Sequence, residues 1–372
     1  MGKFPRNNNT FIIFHRLYLV MGAMLYKDVI SEYEDPLKVS EEKTKEHLMK
    51  IFEYHFENTP YWKKFKGQID VDKIFQGNLK RVFENIFNAG LFVNEDHLRE
   101  NWLDFSPKNY RGRVRFYQSS GTTRERAITH WDYEYMKLLV KFLRTALDEI
   151  YGLDKIYNEK HQMRALAHGP YGWYQEETSE LVWSYGGLLY IIGMETEGIK
   201  RALEKEGWES LLKGRLAPLV KYTQKVIEKD NINTVRTIPQ FLQLFSRKTE
   251  NLETIFTGGV GVTPQLIKEI EESTNANVIP FYGYYAFGDA VGMVKNNEVV
   301  YYPNYPFTII FPLVQKDGKF KVVDYGERGK MAMIIARPEL LIVKVENESI
   351  IRSPPTKSFK WDGYGNPIRK VG

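Results

Sequence analysis

Residues 111–130 read RGRVRFYQSSGTTRERAITH. Arg113 to Phe116 alternates charged and apolar side chains, the period of a strand. Ala127 to Thr129 is β-prone, and Thr129 with Asp132 three residues on has the spacing of a helix N-cap. Beyond it, Met136, Leu139, Val140, Leu143, Leu147 and Ile150 recur at helical spacing. Between the extended segments lies Ser119-Ser120-Gly121-Thr122-Thr123. Glycine lets backbone approach a ligand closely, and hydroxyls with free N–H groups can ring a polyphosphate. Arg111, Arg113, Arg115, Arg124 and Arg126 crowd this loop, the first three spaced to share one face of a strand. The residue types alone leave two meanings open: an anion cradle, or a polar turn beside a solvated arginine stripe. A Walker A loop is excluded, because Gly-x-x-x-x-Gly-Lys-Ser/Thr does not occur here.

Working outward, residues 1–100 read as a mainly helical first layer. Residues 28–56 are charged and amphipathic, and residues 80–89 place Val82, Phe83, Ile86 and Phe87 on one face. Residues 101–300 alternate strand and helix signals, which argues for an α/β sheet with helices on its faces. Residues 164–167 form a short apolar run ending at His168-Gly169-Pro170-Tyr171-Gly172. Residues 188–192 read as a buried strand, 213–228 as a helix and 234–238 as the next strand. Residues 254–256 run into Gly258-Gly259, Thr263-Pro264 starts a helix, and 277–281 end in Tyr282-Gly283-Tyr284. Two loops thus fall at the carboxyl ends of neighbouring strands, where open α/β sheets bind ligands. Residues 301–372 turn β-rich, with Asp317-Gly318 as a hairpin turn and strands over 330–336 and 341–345. The Pro- and Gly-rich tail from Ser353 reads as loop.

Composition narrows the function classes. At 372 residues, 43% hydrophobic and 14% aromatic, the chain can bury a large core. A net charge of +5 without long runs of one sign suits an anionic small molecule and does not call for nucleic acid. The absence of cysteine excludes disulfides, thiolate metal sites and cysteine nucleophiles, and is compatible with an intracellular setting. Residues 11–26 form the most apolar amino-terminal run, but it holds His15 and Arg16 and is shorter than the roughly 20 residues that span a bilayer. The expectation is a cytoplasmic protein without a membrane partner, its first helix buried or at a subunit contact.

With these residues in view, YQSSGTT resembles the phosphate loop of the adenylate-forming superfamily, and the chain more specifically resembles its phenylacetate–coenzyme A ligase branch. Residues 58–62 (NTPYW) and 91–100 (LFVNEDHLRE) resemble that branch's leading segments. Residues 167–173 (AHGPYGW) resemble its substrate segment, and Thr257-Gly258-Gly259 and Phe281-Tyr282-Gly283-Tyr284 its two nucleotide motifs. The resemblance implies the large amino-terminal domain of that fold, with mixed sheets, flanking helices and a smaller β subdomain. It implies activation of an aromatic or other acyl carboxylic acid with ATP and Mg²⁺, coenzyme A being the usual acceptor. Ser119, Ser120, Gly121, Thr122 and Thr123 would hold the β- and γ-phosphates, with Arg126 where the family often has lysine. Gly258, Gly259, Tyr282, Gly283 and Tyr284 would bind the nucleotide, and Tyr171, Gly172 and Trp173 would line the acid pocket. His168 is the implied catalytic histidine, its other meaning being a structural core residue. A homodimer is implied as well.

Three departures motivate a second reading. The family's metal-holding Glu follows Tyr-Gly-x-Ser/Thr, but Tyr285-Ala286 stand here, leaving Asp289 as the substitute magnesium ligand. The ribose-binding Asp has no match in residues 341–349, where Glu346 and Glu348 stand nearest. The usual carboxyl-terminal lid domain, with its adenylation lysine, is expected to be absent, so that a separate lid or acceptor protein would complete the site. The alternative is a catalytically degenerate member acting as a ligand-binding or scaffold subunit. Acyl transfer through a cysteine, as in acyl-protein synthetases of bacterial bioluminescence, is closed to a chain without one.

Overall fold

The computed structural model describes residue 26 and residues 33–119, 127–194, 199, 202, 205–242, 251–258 and 262–369. The amino-terminal apolar run, apart from Tyr26, lies outside them. The first described helix, α1 (Glu41–Asn58), starts where the Ser40 side chain accepts the Lys43 N–H at 3.2 Å, with Glu41 and Glu42 in its first turn. Its buried face carries His47, Leu48, Ile51, Phe52 and His55. It stops at Thr59, which is extended ahead of Pro60. Helix α2 (Leu79–Asn88) is capped by Asn78 and buries Val82, Phe83, Ile86 and Phe87, the face expected from its spacing.

Among the described residues the strands form one hairpin and one twelve-stranded sheet. The hairpin pairs β1 (Val114–Gln118) with β2 (Ile128–Asp132), Tyr117 opposite Thr129. Thr129 is therefore a buried strand residue, and the expected cap moves to Asp132, whose carboxylate accepts the Glu134 N–H at 2.8 Å. Asp132 opens helix α3 (Tyr133–Tyr151), which ends on left-handed Gly152 at φ 66°. Then come β3 (Arg164–Gly169), helix α4 (Trp173–Ser184), β4 (Leu188–Gly193), helix α5 (Ala217–Asp230), β5 (Thr234–Thr237), β6 (Thr254–Gly258), helix α6 (Pro264–Thr274) and β7 (Asn277–Tyr284). Helix α6 begins as expected, Thr263 Oγ1 accepting the Leu266 N–H ahead of Pro264.

Strands β3 to β7 pair in parallel in the order β4-β3-β5-β6-β7. From β7 the sheet turns antiparallel through β8 (Gly288–Lys295), β9 (Glu298–Tyr302), β10 (Thr308–Lys316), β11 (Lys319–Val322), β12 (Arg328–Arg337), β13 (Leu340–Ser353) and β14 (Gly363–Arg369). It runs unbroken past residue 300. Asp317 and Gly318 make the expected hairpin turn, both at positive φ. Two expectations are corrected. Strand β4 is the edge of the sheet, with Leu188 and Ile191 exposed, because a short apolar run carries no mark of its place in a sheet. The tail contains β14, a strand between β13 and β9, although Gly363, Gly365 and Pro367 give it a loop's composition. No described helix is long and apolar enough to cross a membrane.

The turn between β12 and β13 lies in the interior and fastens the helical layer to the sheet. His47 Nε2 reaches the Ala336 carbonyl at 2.8 Å, His55 Nε2 the Arg337 carbonyl at 2.8 Å, and His130 Nε2 the Glu339 carbonyl at 2.6 Å. A carbonyl only accepts, so each imidazole donates through Nε2, and burial, which lowers all three pKa values, keeps each ring neutral at pH 7. Trp62 Nε1 donates to the Leu341 carbonyl at 3.0 Å. Arg337 and Glu339, both fully buried, pair at 3.1 Å, and the Tyr26 hydroxyl donates to Glu339 at 2.5 Å.

Candidate active site

The elements named in the sequence motifs meet at the carboxyl ends of the parallel strands. The neck of the hydroxyl loop is described: Ser119 N donates to the Ala127 carbonyl at 2.8 Å, and Ser119 Oγ accepts the Ala127 N–H at 2.9 Å. Ser119 thus closes the loop's base. Ser120, Gly121, Thr122, Thr123, Arg126 and Gly259 lie outside the described residues.

The hairpin carrying this loop packs on the start of α4. The Tyr117 ring stands edge-on to Trp131 at 5.6 Å, and Trp131 lies 5.7 Å from Trp173. Trp131 Nε1 donates to the Tyr285 carbonyl at 3.2 Å. Gly172 sits at φ 107°, a conformation glycine adopts without strain, beside the Tyr117 ring. A Cβ on Gly283 would come within 2.8 Å of Asp289 Oδ1 and 3.0 Å of Trp173 Cη2. A Cβ on Gly258 would stand 3.1 Å from the Phe281 carbonyl. The missing side chains at Gly258 and Gly283 therefore let β6, β7, β8 and the start of α4 close on one another. Tyr171 is 69% exposed, its ring lying over Gly193 at the end of β4.

Tyr282 and Tyr284 face the other side of β7 from Gly283. The Tyr282 hydroxyl donates to Glu348 at 2.5 Å, and its ring packs between Tyr301 and Tyr364. The Tyr284 hydroxyl bonds Glu346 and stacks on Phe287 at 5.1 Å. The buried Lys344 ammonium bonds Glu95, Glu346 and the Tyr284 hydroxyl. Burial pulls its pKa down, but Tyr285, Glu346 and Glu95 outweigh that and hold it above the usual lysine value. Glu346 and Glu348, the nearest candidates for the ribose contact, are thus hydrogen-bond acceptors for the two tyrosines.

Beneath Gly283 lies a charge cluster that the motifs do not announce. Arg236 of β5 bonds Asp289, bonds Glu177 Oε1 at 3.0 Å through Nη2, and donates to Thr178 Oγ1 at 2.7 Å through Nη1. Its guanidinium also lies 4.2 Å over the Tyr174 ring. Glu177 Oε2 accepts the Asp289 N–H at 3.0 Å, so the carboxylate holds the β7–β8 turn from below. Burial, then the Asp289 charge, raises the Glu177 pKa well above the usual carboxylate range; burial raises Asp289 too, against the pull of Arg236. Asp289, the expected magnesium ligand, is committed to Arg236 here, and among the described residues no three His, Asp or Glu side chains are placed to hold a metal. Ala286 is 1% exposed. Sequence reasoning missed Arg236 and Glu177, because a single charge in the strand TVRT or the helix WYQEETSELVWS does not show whether it meets water or a buried partner.

His168 is on the opposite face of the sheet from Arg236, since Ala167 is the register partner of Arg236. Its Nε2 meets Thr223 Oγ1 at 2.8 Å, Nδ1 meets Thr237 Oγ1 at 3.2 Å, and its ring stacks on Phe241 at 5.2 Å. Burial pushes its pKa down to about 4, so it is neutral at pH 7. The arginine stripe resolves into braces: Arg113 pairs with Glu134 at 2.8 Å, Arg115 with Glu176 at 2.6 Å, and Arg111 precedes the strand.

No protein-family profile matches this sequence, and no curated protein matches it. Solved structures do. The open conformation of 2-hydroxyisobutyryl-CoA ligase, in complex with 2-HIB-AMP and CoA, superposes with a TM-score of 0.61 over 88% of this chain and 68% of that one, at 12% identity. The same ligase in its postadenylation state, with R3-HIB-AMP, gives 0.60 over 87% and 66%, at 13% identity. The chain has the adenylate-forming ligase fold. It spans about two thirds of the length of the ligase it matches. Within this fold, the described motif segments 168–173, 257–258 and 281–284 stand at or just past the ends of β3, β6 and β7.

Proposed function

We propose that this chain activates a carboxylic acid with ATP, as a relative of the phenylacetate–coenzyme A ligases. One observation carries the reading: Trp173, Gly283, Tyr285 and the loop-bearing hairpin, named from separate motifs, pack on one another through Trp131 and Tyr117. An oxygen of the acid attacks the α-phosphorus, forming an acyl–phosphate bond, and the bond to pyrophosphate breaks. Ser120, Thr122, Thr123 and Arg126 stabilise charge on the leaving phosphates, and Gly258 with Gly259 gives the adenine a backbone surface. Trp173 and Tyr171 border the acid, which is aromatic or of similar size. His168, enclosed behind the sheet, positions the end of β3 and with it Tyr171 and Gly172. Magnesium belongs to this reading as the counter-ion accompanying ATP, and coenzyme A as acceptor. A homodimer, a cytoplasmic setting and a separate lid or acceptor protein complete the proposal.

The test is carboxylate-dependent pyrophosphate release across aryl and short hydroxy acids. Release that falls at least tenfold in Thr122→Val and Arg126→Ala supports the site; release indifferent to both removes it.

Buried Ala286 and the pairing of Asp289 with Arg236 favour a second reading, a degenerate ligand-binding or scaffold subunit. It predicts ATP or acid binding by calorimetry with no pyrophosphate release from any acid.

A further inference from the structure

The twelve-stranded sheet has two edges, and they are finished differently. At one, β11 is short, carries Lys319 and Lys321, and is closed by side chains of α2. Asn88 Oδ1 accepts the Phe320 N–H at 2.8 Å, Asn88 Nδ2 donates to the Phe320 carbonyl at 3.0 Å, and Glu84 Oε1 accepts the Val322 N–H at 3.0 Å. Lysines and a covering helix keep an edge from pairing with another chain. At the other edge, β4 (LLYIIG) has neither charge nor proline. Its ladder shows which groups it leaves open. Leu188 N donates to the Met163 carbonyl and Met194 N to the Gly169 carbonyl, each at 2.9 Å, so alternate residues from Leu188 turn their N–H to β3. Leu189, Ile191 and Gly193 turn theirs away, and among the described residues no strand receives them.

These three residues are complementary to themselves. A second β4 running antiparallel about a two-fold axis at Ile191 sets Ile191 opposite Ile191 and Leu189 opposite Gly193, each pair exchanging both its N–H···O bonds. Residues directly opposite share a face of the sheet. Leu189, Ile191 and Gly193 lie on the α4 face, because Ala167, the register partner of Ile191, is also that of Arg236, which meets Glu177 and Thr178. On that face Tyr171 takes the place of the missing Gly193 side chain, since a Cβ there would stand 2.3 Å from Tyr171 Cζ. Leu189 of the second copy then meets the exposed Tyr171 ring. On the opposite face Leu188, and Tyr222 of α5, are exposed as well. The charge at the start of β3, Arg164, is paired with Asp230, so neither β3 nor β4 sets an unpaired charge against its own image.

We propose that two copies of this chain join edge to edge through β4, on a two-fold axis at Ile191, making one continuous sheet and covering Tyr171 of each copy with Leu189 of the other. The pairing stands on the strand itself; only its effect at Tyr171, a residue of the proposed acid pocket, rests on the proposed function.

The chain has no cysteine, so Ile191→Cys carries the sole thiol. Opposed residues of a hydrogen-bonded antiparallel pair have Cα atoms about 5.5 Å apart, within the span of a disulfide. Oxidation of Ile191→Cys with copper phenanthroline is expected to give covalent dimer about tenfold faster than Val294→Cys, which is comparably exposed but lies on β8. Sedimentation velocity of the wild type at micromolar concentration should show a dimer. Ile191→Lys sets two ammonium groups against each other and should weaken that dimer about a hundredfold, with the urea midpoint of the monomer unchanged. A monomeric wild type, cross-linking no faster than in Val294→Cys, or a dimer undisturbed by Ile191→Lys overturns the proposal. So does an open-ended assembly, which requires a head-to-tail contact. The Tyr171 contact is read in pyrophosphate release: KM for the acid rises about fivefold in Ile191→Lys with kcat retained, and an unchanged KM removes that contact from the pocket. If the wild type releases no pyrophosphate, the proposed function falls, and the pairing is judged by sedimentation and cross-linking alone.

Discussion

Arg236 and Asp289 form an ion pair although two strands, β6 and β7, lie between theirs in the sheet. At about 4.8 Å per strand, their backbones would stand roughly 14 Å apart on a flat sheet, beyond the joint reach of the two side chains. The sheet therefore curls around α4 here, and Glu177 fills the inside of the curve.

Removing the guanidinium alone leaves two buried carboxylates facing each other. Arg236→Met is expected to lower the unfolding free energy by about 3–5 kcal/mol, read from urea denaturation. The triple variant with Glu177→Gln and Asp289→Asn loses less than Arg236→Met, because no uncompensated charge remains. An Arg236→Met chain of wild-type stability would show that the cluster is unimportant to folding.

Acid should unfold the protein through its histidines. Burial depresses His47, His130 and His168 to about 4 and His55 to about 3, against about 6.5 in an unfolded chain. Between these limits the unfolded state binds protons that the folded state does not. Stability is thus present above about pH 6.5 and lost as pH falls toward 4, with a ceiling of about 5 kcal/mol per pH unit for four protons. The raised Glu177 and Asp289 carboxyls oppose this, since the folded chain takes up their protons first as pH falls. Urea midpoints at pH 7, 6 and 5 check the slope, and His168→Gln should make it shallower by about one proton.

Gly283→Ala tests the close approach at the site. The new methyl must displace Trp173 or Asp289. Pyrophosphate release is expected to fall about tenfold or more, because misplacement of the pocket wall by a fraction of a bond length is costly to a positioned reaction. Tryptophan emission should shift with it, and that shift should vanish in a Trp173→Phe background.

Ala286→Glu places a carboxylate at the position where the sequence resemblance implies a metal-holding glutamate. Ala286 is enclosed, so the new carboxylate would enter the interior without a partner. The expected outcome is a fall in the urea midpoint equivalent to several kcal/mol and no magnesium-dependent gain in release. A gain in release at unchanged stability would show that the turn can open to admit a metal.

The sequence was informative where local chemistry is self-contained. Thr263 and the Asp317-Gly318 turn mark boundaries through backbone rules that hold in any fold, and the spacing of Val82, Phe83, Ile86 and Phe87 needs only a buried face. It was silent where meaning depends on distant partners. Arg236, Glu177 and Asp289 come from three elements, and each alone has the pattern of an ordinary charged residue. Thr129 and Asp132 both suit a cap, and only the hairpin register decides between them. Strand β14 has a loop's composition and exists because β13 and β9 flank it. The hydroxyl loop stood out by sequence, yet Glu176, which ties its hairpin to α4, did not, since a glutamate in a helix's first turn is commonplace.

The interior turn at residues 336–341 has a consequence for how the protein is made. His47, His55 and Trp62 find their acceptors some 280 positions downstream, at Ala336, Arg337 and Leu341. At about 5–20 residues per second, a ribosome needs roughly 15–60 s to travel that distance. Through that interval the inner surface of α1, with Ile51 and Phe52, has no sheet to lie on. The growing chain must be shielded by chaperones or tolerate a greasy helix in water, and the amino-terminal layer takes its place only after the strands that receive it have emerged.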